Sequence, residues 1–362
     1  MRSPNQHESE TPHAPAYLPL RGLFGLLALA LLGWICWRNS RPAPAPVPAP
    51  MAAQAPAVSP PPAAPSPVVR SNAPSGPKSS QDVFDAQLAL VRRGISSGSL
   101  DGVIGSQTRA ALRAFQESEG LRASGEMDAA TLERLGGAGP PYTNYTVTSD
   151  DLARLQPIGK TWLAKSEQNR LDFETILELA AEKGHAHPSL VRRLNPDIDW
   201  ANVASGSTIR IPNAEYPVVT QRAAQVKIFV GNRTLEAFDR EGRLLAHFPC
   251  SIAQRVEKRP VGETLHVALT IPNPNYTFDP DVFPESAEAR ELGRKLILQP
   301  GPNNPVGTVW IGLDKPGYGI HGTPRPEEVG RTESHGCFRL ANWNAEYLLK
   351  LVWVGLPVLV EP

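Results

Sequence analysis

Cysteine is nearly absent from this chain: only Cys36, Cys250 and Cys337 occur among 362 residues. Three thiols exclude the dense disulfide framework that holds small secreted folds together. Charge of one sign is also missing, since 36 Lys and Arg stand against 36 Asp and Glu. A net charge of zero removes the bulk electrostatic pull toward nucleic acid, and no nucleic-acid partner is expected. Long hydrophobic runs are confined to one place, Gly22 to Trp37, an uncharged stretch of sixteen residues. Proline is the residue in excess, with 38 copies, many of them crowded before residue 80.

The apolar run follows Arg21 and precedes Arg38 and Arg41. It is slightly short of the ~20 residues that span a bilayer as a helix. Arg21 can snorkel and let Leu18 and Leu20 extend it. The residues after Trp37, Arg-Asn-Ser-Arg-Pro, lack a small-x-small cleavage site. The expectation is an uncleaved single-pass anchor with the long C-terminal part exported; a cleaved signal peptide is the alternative. Residues 1–40 are therefore read as cytoplasmic tail and membrane anchor, and 41–80 as a Pro/Ala-rich linker. Alternating Ala-Pro favours extended polyproline II, a semi-rigid stalk reaching on the order of 100 Å.

Beyond the stalk the pattern becomes foldable. Phe84, Leu88 and Val91 fall at helical spacing, Gly94 breaks it, and Ser99 to Gly102 reads as a turn. Thr108, Ala111, Leu112 and Phe115 predict a second helix capped by Ser106, and Leu132 and Leu135 a third. This three-helix domain is placed at 81–138. Residues 142–214 read as strand, helix, loop, helix, Asn-Pro, strand. From about 222 the texture changes to short apolar alternations: three strands through Gln225–Ala253 with turns at Gly231-Asn232 and Glu241-Gly242, then VGETLHVALTI, TVWIGL, GYGIHG and PVLVEP. A helix is expected near Asn342 to Trp353. The fold class is thus multidomain: membrane helix and stalk, a small three-helix domain, an α+β module, and a mostly β domain at 222–362 that alone is large enough for a catalytic cleft.

That last domain carries the run Ser334-His335-Gly336-Cys337-Phe338-Arg339. A thiol near its ordinary pKa is mostly protonated at neutral pH, so a nucleophilic cysteine needs a base or a cation nearby. His321, sixteen residues upstream, is the candidate. The neighbours of Cys337 look arranged to ionise it. A backbone carbonyl can fix the imidazole tautomer as well as a carboxylate can. Gly336 admits close approach of a substrate, the Cys337 N–H can serve a developing oxyanion, and Arg339 can take a substrate carboxylate. Blander readings stand beside this one. A lone histidine is most often structural and a lone cysteine core filler. His321, His335 and Cys337 could also be three zinc ligands, but no fourth recurs at metal spacing.

Three resemblances sharpen the reading. The segment 100–135, with Asp101, Gly102, Gly105, Thr108, Ala111, Phe115, Gln116, Gly125, Asp128, Thr131 and Leu132, resembles the three-helix peptidoglycan-binding domain family. Residues 142–214 resemble a degenerate LysM module, a type that binds amino-sugar polymers, interrupted by an insertion at about Leu155 to Phe173. The C-terminal region resembles the catalytic domain of L,D-transpeptidases, the YkuD-like family. The match lies in Tyr318-Gly319-Ile320-His321-Gly322-Thr323 and Ser334 to Leu340. It departs from that pattern at Arg259-Pro260-Val261-Gly262, usually Thr-Pro-x-Gly, and at Phe338, usually β-branched aliphatic.

The resemblance implies that Cys337 is the acyl-accepting nucleophile and His321 its proton acceptor and donor, oriented by the Gly322 carbonyl. Ser334 and His335 join them in the catalytic set, and Gly336, Arg339 and Tyr318 contact substrate. No metal or organic cofactor is required. The implied reaction cleaves before the terminal D-alanine of a peptidoglycan stem tetrapeptide and passes the acyl group to an amine, cross-linking third-position residues. Carbapenem sensitivity and penicillin insensitivity are implied too. Alternatives are hydrolysis of the same thioester, as a carboxypeptidase or endopeptidase, and a non-catalytic wall tether. The expected partners are stem peptides, glycan strands, the membrane and, as one acceptor, a lipoprotein. The expected location is the cell envelope, in the periplasm or on the outer face of the inner membrane.

Overall fold

The computed structural model describes residues 78–137, 139–283, 286–334 and 336–362. Of the anchor and stalk expected at 1–80, residues 1–77 lie outside the described residues, as does His335. Among the described residues no helix is long and apolar enough to cross a membrane.

The first domain holds helices α1 (Ser80–Val91), α2 (Ser106–Ser118) and α3 (Ala129–Leu135). A capping box starts α1: the Ser79 hydroxyl accepts from the Asp82 N–H, and the Asp82 carboxylate accepts from the Ser79 N–H. The start of α2 differs from expectation, for Gly105 is the extended N-cap residue and Ser106 is already helical. Asp128 caps α3 at 2.8 Å. Two faces of α1 are buried. Val83, Ala86 and Leu90 pack with Ala111, Leu112, Phe115 and Met127 inside the helical domain. Phe84, Leu88 and Val91, whose spacing announced the helix, instead belong to a second core shared with the middle module.

The middle module runs β1 (Tyr142–Thr146), α4 (Ser149–Arg154), α5 (Trp162–Ser166), α6 (Ile176–Lys183), α7 (Pro188–Leu194) and β2 (Thr208–Pro212). β1 and β2 pair antiparallel from Tyr142↔Pro212 to Thr146↔Thr208. Ile176, Ala180, Leu190, Val191, Ile209 and Ile211 form its core, and Tyr142 stacks on Phe84 at 5.1 Å.

The C-terminal domain comprises β3 (Gln225–Phe229), β4 (Thr234–Phe238), β5 (Leu244–Pro249), β6 (Thr264–Pro272), β7 (Tyr276–Phe278), α8 (Ala287–Leu292), β8 (Leu296–Leu298), β9 (Val309–Leu313), β10 (Gly319–His321), β11 (Phe338–Arg339), α9 (Asn342–Leu351) and β12 (Pro357–Glu361). Eight strands form one sheet in the order β11-β10-β9-β6-β12-β3-β4-β5. The C-terminal strand lies inside it, parallel to β3 and antiparallel to β6. Alternate residues such as Val226, Ile228, Leu235 and Ala237 turn inward onto one core with Leu348 of α9. Ser251, just past β5, bridges Arg339 of β11, so the two ends of the sheet meet there. The helical domain docks at the same end: Ser96 N–H donates to the His247 carbonyl at 2.8 Å, and His247 N–H to Gly94 at 3.1 Å.

Candidate active site

Strand pairing brings together what sixteen residues separate. β10 and β11 run parallel, with Ile320 beside Phe338 and His321 beside Arg339. Cys337, the residue before β11, therefore sits at the level of Gly319. Its thiol donates to the Gly317 carbonyl at 3.5 Å, and the Gly319 N–H is directed at the sulfur.

His321 is 6% exposed. Its Nδ1 lies 2.7 Å from the Gly322 carbonyl oxygen. A carbonyl only accepts, so Nδ1 carries the proton and the Nε2 lone pair is free to act as a base. Burial lowers the imidazole to about 4, partly offset by the Gly322 carbonyl, with Arg339 lowering it further. Burial raises the Cys337 thiol to about 11, against the Gly319 N–H and Lys258, which favour the thiolate. The resting pair at neutral pH is thus a neutral thiol and a neutral imidazole. The residues around Cys337 do not ionise it in advance, because desolvation outweighs the cationic and N–H neighbours.

The remaining predicted residues are held close by. The Ser334 hydroxyl donates to the Cys337 carbonyl at 2.5 Å and accepts from Gly336 N–H at 3.3 Å, closing the turn that presents the thiol. A Cβ on Gly336 would meet nothing nearer than Lys258 Cδ at 4.0 Å, so its face is open. The Tyr318 hydroxyl donates to the Lys258 carbonyl at 3.0 Å. Arg339 reaches the Thr332 hydroxyl at 3.1 Å and the Glu333 carbonyl, so its guanidinium fastens the loop before the cysteine.

Sequence reasoning missed four residues. Asn342, 1% exposed at the start of α9, accepts at Oδ1 from the N–H groups of Thr308 (3.2 Å) and Thr323 (3.0 Å). It fills the space that Gly307 and Gly322 leave, and a side chain at either would collide with it. Trp310 faces His321 across β9 and β10 and stacks on the imidazole at 5.6 Å and 23°. Lys258 supplies positive charge to the thiol, and Tyr276 of β7 is close enough for its ionisation to be opposed by Cys337. Only Trp310, inside the TVWIGL strand, left a local signal.

Fold and site together define a sheet domain that places a thiol one strand away from an imidazole locked in one tautomer. The model of the L,D-transpeptidase catalytic domain, YkuD, matches residues 224–360, and that of the "Putative peptidoglycan binding domain" matches 79–135. The chain is 27% identical to the "Putative L,D-transpeptidase YkuD" of Bacillus licheniformis, over 52% of this chain and 94% of that protein. It is 30% identical to the "Putative L,D-transpeptidase YqjB" of Bacillus subtilis, over 41% of this chain and 73% of that one. A crystal structure of Enterococcus faecium L,D-transpeptidase aligns at 16% identity and TM-score 0.29, covering 40% of this chain and 56% of that one; so loose a superposition carries no argument. The chain belongs to the L,D-transpeptidase family. It joins a helical peptidoglycan-binding domain to a mostly β catalytic domain.

Proposed function

We propose that this enzyme is a peptidoglycan L,D-transpeptidase with Cys337 as nucleophile and His321 as general base and acid. The observation that carries the reading is the Nδ1 bond of His321 to Gly322, which leaves Nε2 as a base one strand away from the thiol. Attack by Cys337 on the carbonyl of the third stem residue passes the thiol proton to Nε2. A neutral starting pair makes that transfer part of the attack rather than a step before it. The tetrahedral species then expels D-alanine, whose amine takes the proton back from the imidazolium, and a thioester remains. An amine from a neighbouring stem attacks the thioester, gives its proton to Nε2 and releases the thiol. Ser334 and Arg339 hold the turn on which the sulfur sits, and Asn342 fixes the backbone from which the Gly322 carbonyl projects. Tyr318 and Gly336 border the substrate.

The family relationship supports the reaction class, and the helical domain supports peptidoglycan as the polymer on which it acts. The middle module adds a contact to glycan in this reading, and the Gly22–Trp37 segment and its proline-rich stalk hold the enzyme in the cell envelope. The test is mass spectrometry of purified disaccharide-tetrapeptide incubated with the chain and with Cys337→Ala. D-alanine release with a cross-linked dimer, absent in the variant, is the expected result. Monomeric tripeptide without dimer replaces transfer by hydrolysis, and release by the variant removes Cys337 from its role.

A further inference from the structure

Among the described residues the hairpin β7–β8 pairs only with itself, Tyr276↔Leu298 to Phe278↔Leu296, and shares no strand bond with the eight-stranded sheet. A two-stranded hairpin alone is marginal in water, so its position is set by what it packs against. Phe278 and Leu298 are fully buried, Leu296 is 4% exposed, and Ala289 of α8 joins them. Tyr276, Phe283 and Leu292 pack against it, and three further members come from more than a hundred residues upstream: Leu171, fully buried, with Ile158 and Trp162. Those three lie in the stretch 155–173 that interrupts the LysM-like pattern of the middle module. Trp162 stacks on Phe278 at 4.4 Å and 19°, and its ring lies 5.6 Å from Phe283 and 6.1 Å from Tyr276.

Backbone contacts lock the same junction. Leu171 N–H donates to Pro300 at 3.0 Å and Asn303 N–H to Leu171 at 2.9 Å, while the Asn303 amide reaches the Asp172 carbonyl at 2.9 Å. Gly301, at φ +149°, passes so near the Leu171 backbone that no side chain fits there. On α5, Leu163 N–H meets the Glu288 carboxylate of α8 at 3.2 Å. Tyr276 occupies the hairpin position two residues before Phe278, on the same face. The hairpin leaves the sheet between β6 and β9, where Ile271 pairs with Trp310 and Trp310 faces His321, so it starts at the level of the imidazole, and burial and then Cys337 raise the Tyr276 phenol.

We propose that the 155–173 insertion is a strut that seats the β7–β8 hairpin beside Cys337, with Trp162 as a positioning residue and Tyr276 as the side chain that meets the acyl-donor peptide. The inference rests on Cys337 being the nucleophile. Through this insertion the middle module completes the donor side of the cleft, which the catalytic domain's own sheet does not hold.

The test uses the full chain, disaccharide-tetrapeptide as donor, and iodoacetamide as a small probe of the thiol that needs no seated hairpin. Trp162→Ala is expected to lower kcat/KM about tenfold or more, mainly through KM, while alkylation of Cys337 is not slowed. Trp162→Phe, which keeps a ring on Phe278, is expected to recover most of the loss. Tyr276→Ala is expected to lower kcat/KM similarly and to add little in the double variant, because both act through one contact. A kcat/KM within about twofold of wild type in Trp162→Ala overturns the strut. So does alkylation slowed in step with kcat/KM, which signals collapse of the site, or full additivity with Tyr276→Ala. A Cys337→Ala variant that still releases D-alanine defeats the nucleophile reading instead, whatever Trp162 does.

Discussion

Cys250 and Cys337 flank the bridge where the two ends of the sheet meet, and both thiols are held above their ordinary pKa by burial. Cys250 is fully buried just past β5, packed in the main core, and pushed to about 12. Cys337 is half-buried before β11, pushed to about 11, with an N–H and a lysine favouring its thiolate. Both feel Arg339 or its strand, since Ser251 and Arg339 exchange backbone bonds at 2.9 and 3.0 Å. Desolvation alone therefore does not separate filler from nucleophile. In the proposed mechanism what separates them is a route to the sulfur and a base nearby: Cys337 is partly exposed and lies one strand from His321, whereas Cys250 is enclosed in the core.

The sharpest way to break this comparison is to delete each thiol. Cys337→Ala is expected to lower D-alanine release by about 10⁴–10⁶-fold, the usual effect of losing a nucleophile, while Cys250→Ala stays within a few-fold of wild type. Equal losses would mean that both sulfurs matter only to folding. Next in size is the base. His321→Gln keeps a polar side chain but no proton shuttle, and a loss of about 10²–10⁴-fold in kcat is expected from stopped-time assays. A smaller loss would assign proton transfer to solvent.

The two cysteines were already different as sequence, and the reason is local. SHGCFRL surrounds its thiol with small and polar residues, whereas HFPCSIA continues a strand alternation into it. Strands β3 to β5 and their turns were legible for the same reason, since alternation and Gly-Asn or Glu-Gly turns are neighbours in the chain. The segment 273–308 was not. Its prolines and asparagines break any strand alternation, and apolar residues that pack on its hairpin, Trp162 and Leu171, lie in another module. Asn342 was one polar residue before an amphipathic helix, until folding placed it between Gly307 and Gly322. The Ser106 cap failed because Gly105 takes the extended cap conformation one residue earlier. The neutral state of the thiol was illegible as well, because it depends on burial by β10 and its neighbours rather than on the SHGC run itself.

Alkylation by iodoacetamide sharpens the contrast next. With a thiol raised to about 11, the modification rate of Cys337 should rise about tenfold per pH unit from neutrality toward that value. Cys250 should stay unmodified in the folded protein. A rate already flat at pH 7 would reveal a preformed thiolate–imidazolium pair and contradict the neutral starting state. The imidazole gives a smaller effect with a definite sign. His321 falls from 6.5 to about 4 on folding, so between those values the unfolded chain binds the extra proton. Its contribution is intact above about pH 6.5 and declines as pH falls toward 4, on the order of 3 kcal/mol in all. Urea unfolding at pH 7 and pH 4.5 should show the decline, and His321→Gln should flatten part of it. His185, also lowered by burial, supplies a further part with the same sign.

The smallest effect returns to the buried thiol. Cys250→Ala removes one sulfur from the packed surroundings of Phe248 and Ile252, without exposing a charge or breaking the backbone bond from Cys250 N–H to Arg233 at 2.7 Å. The lost contacts and the small void should cost about 1–2 kcal/mol of stability, read as a shift in the urea midpoint with the slope unchanged. Cys250→Ser has nearly the same volume as the thiol but buries a hydroxyl in an apolar core, and should cost more than alanine unless the Ser251 carbonyl, 3.5 Å from the sulfur, accepts from it. If serine proves the milder change, position 250 is a polar site in disguise. The contrast with Cys337 would then rest on access and the base alone.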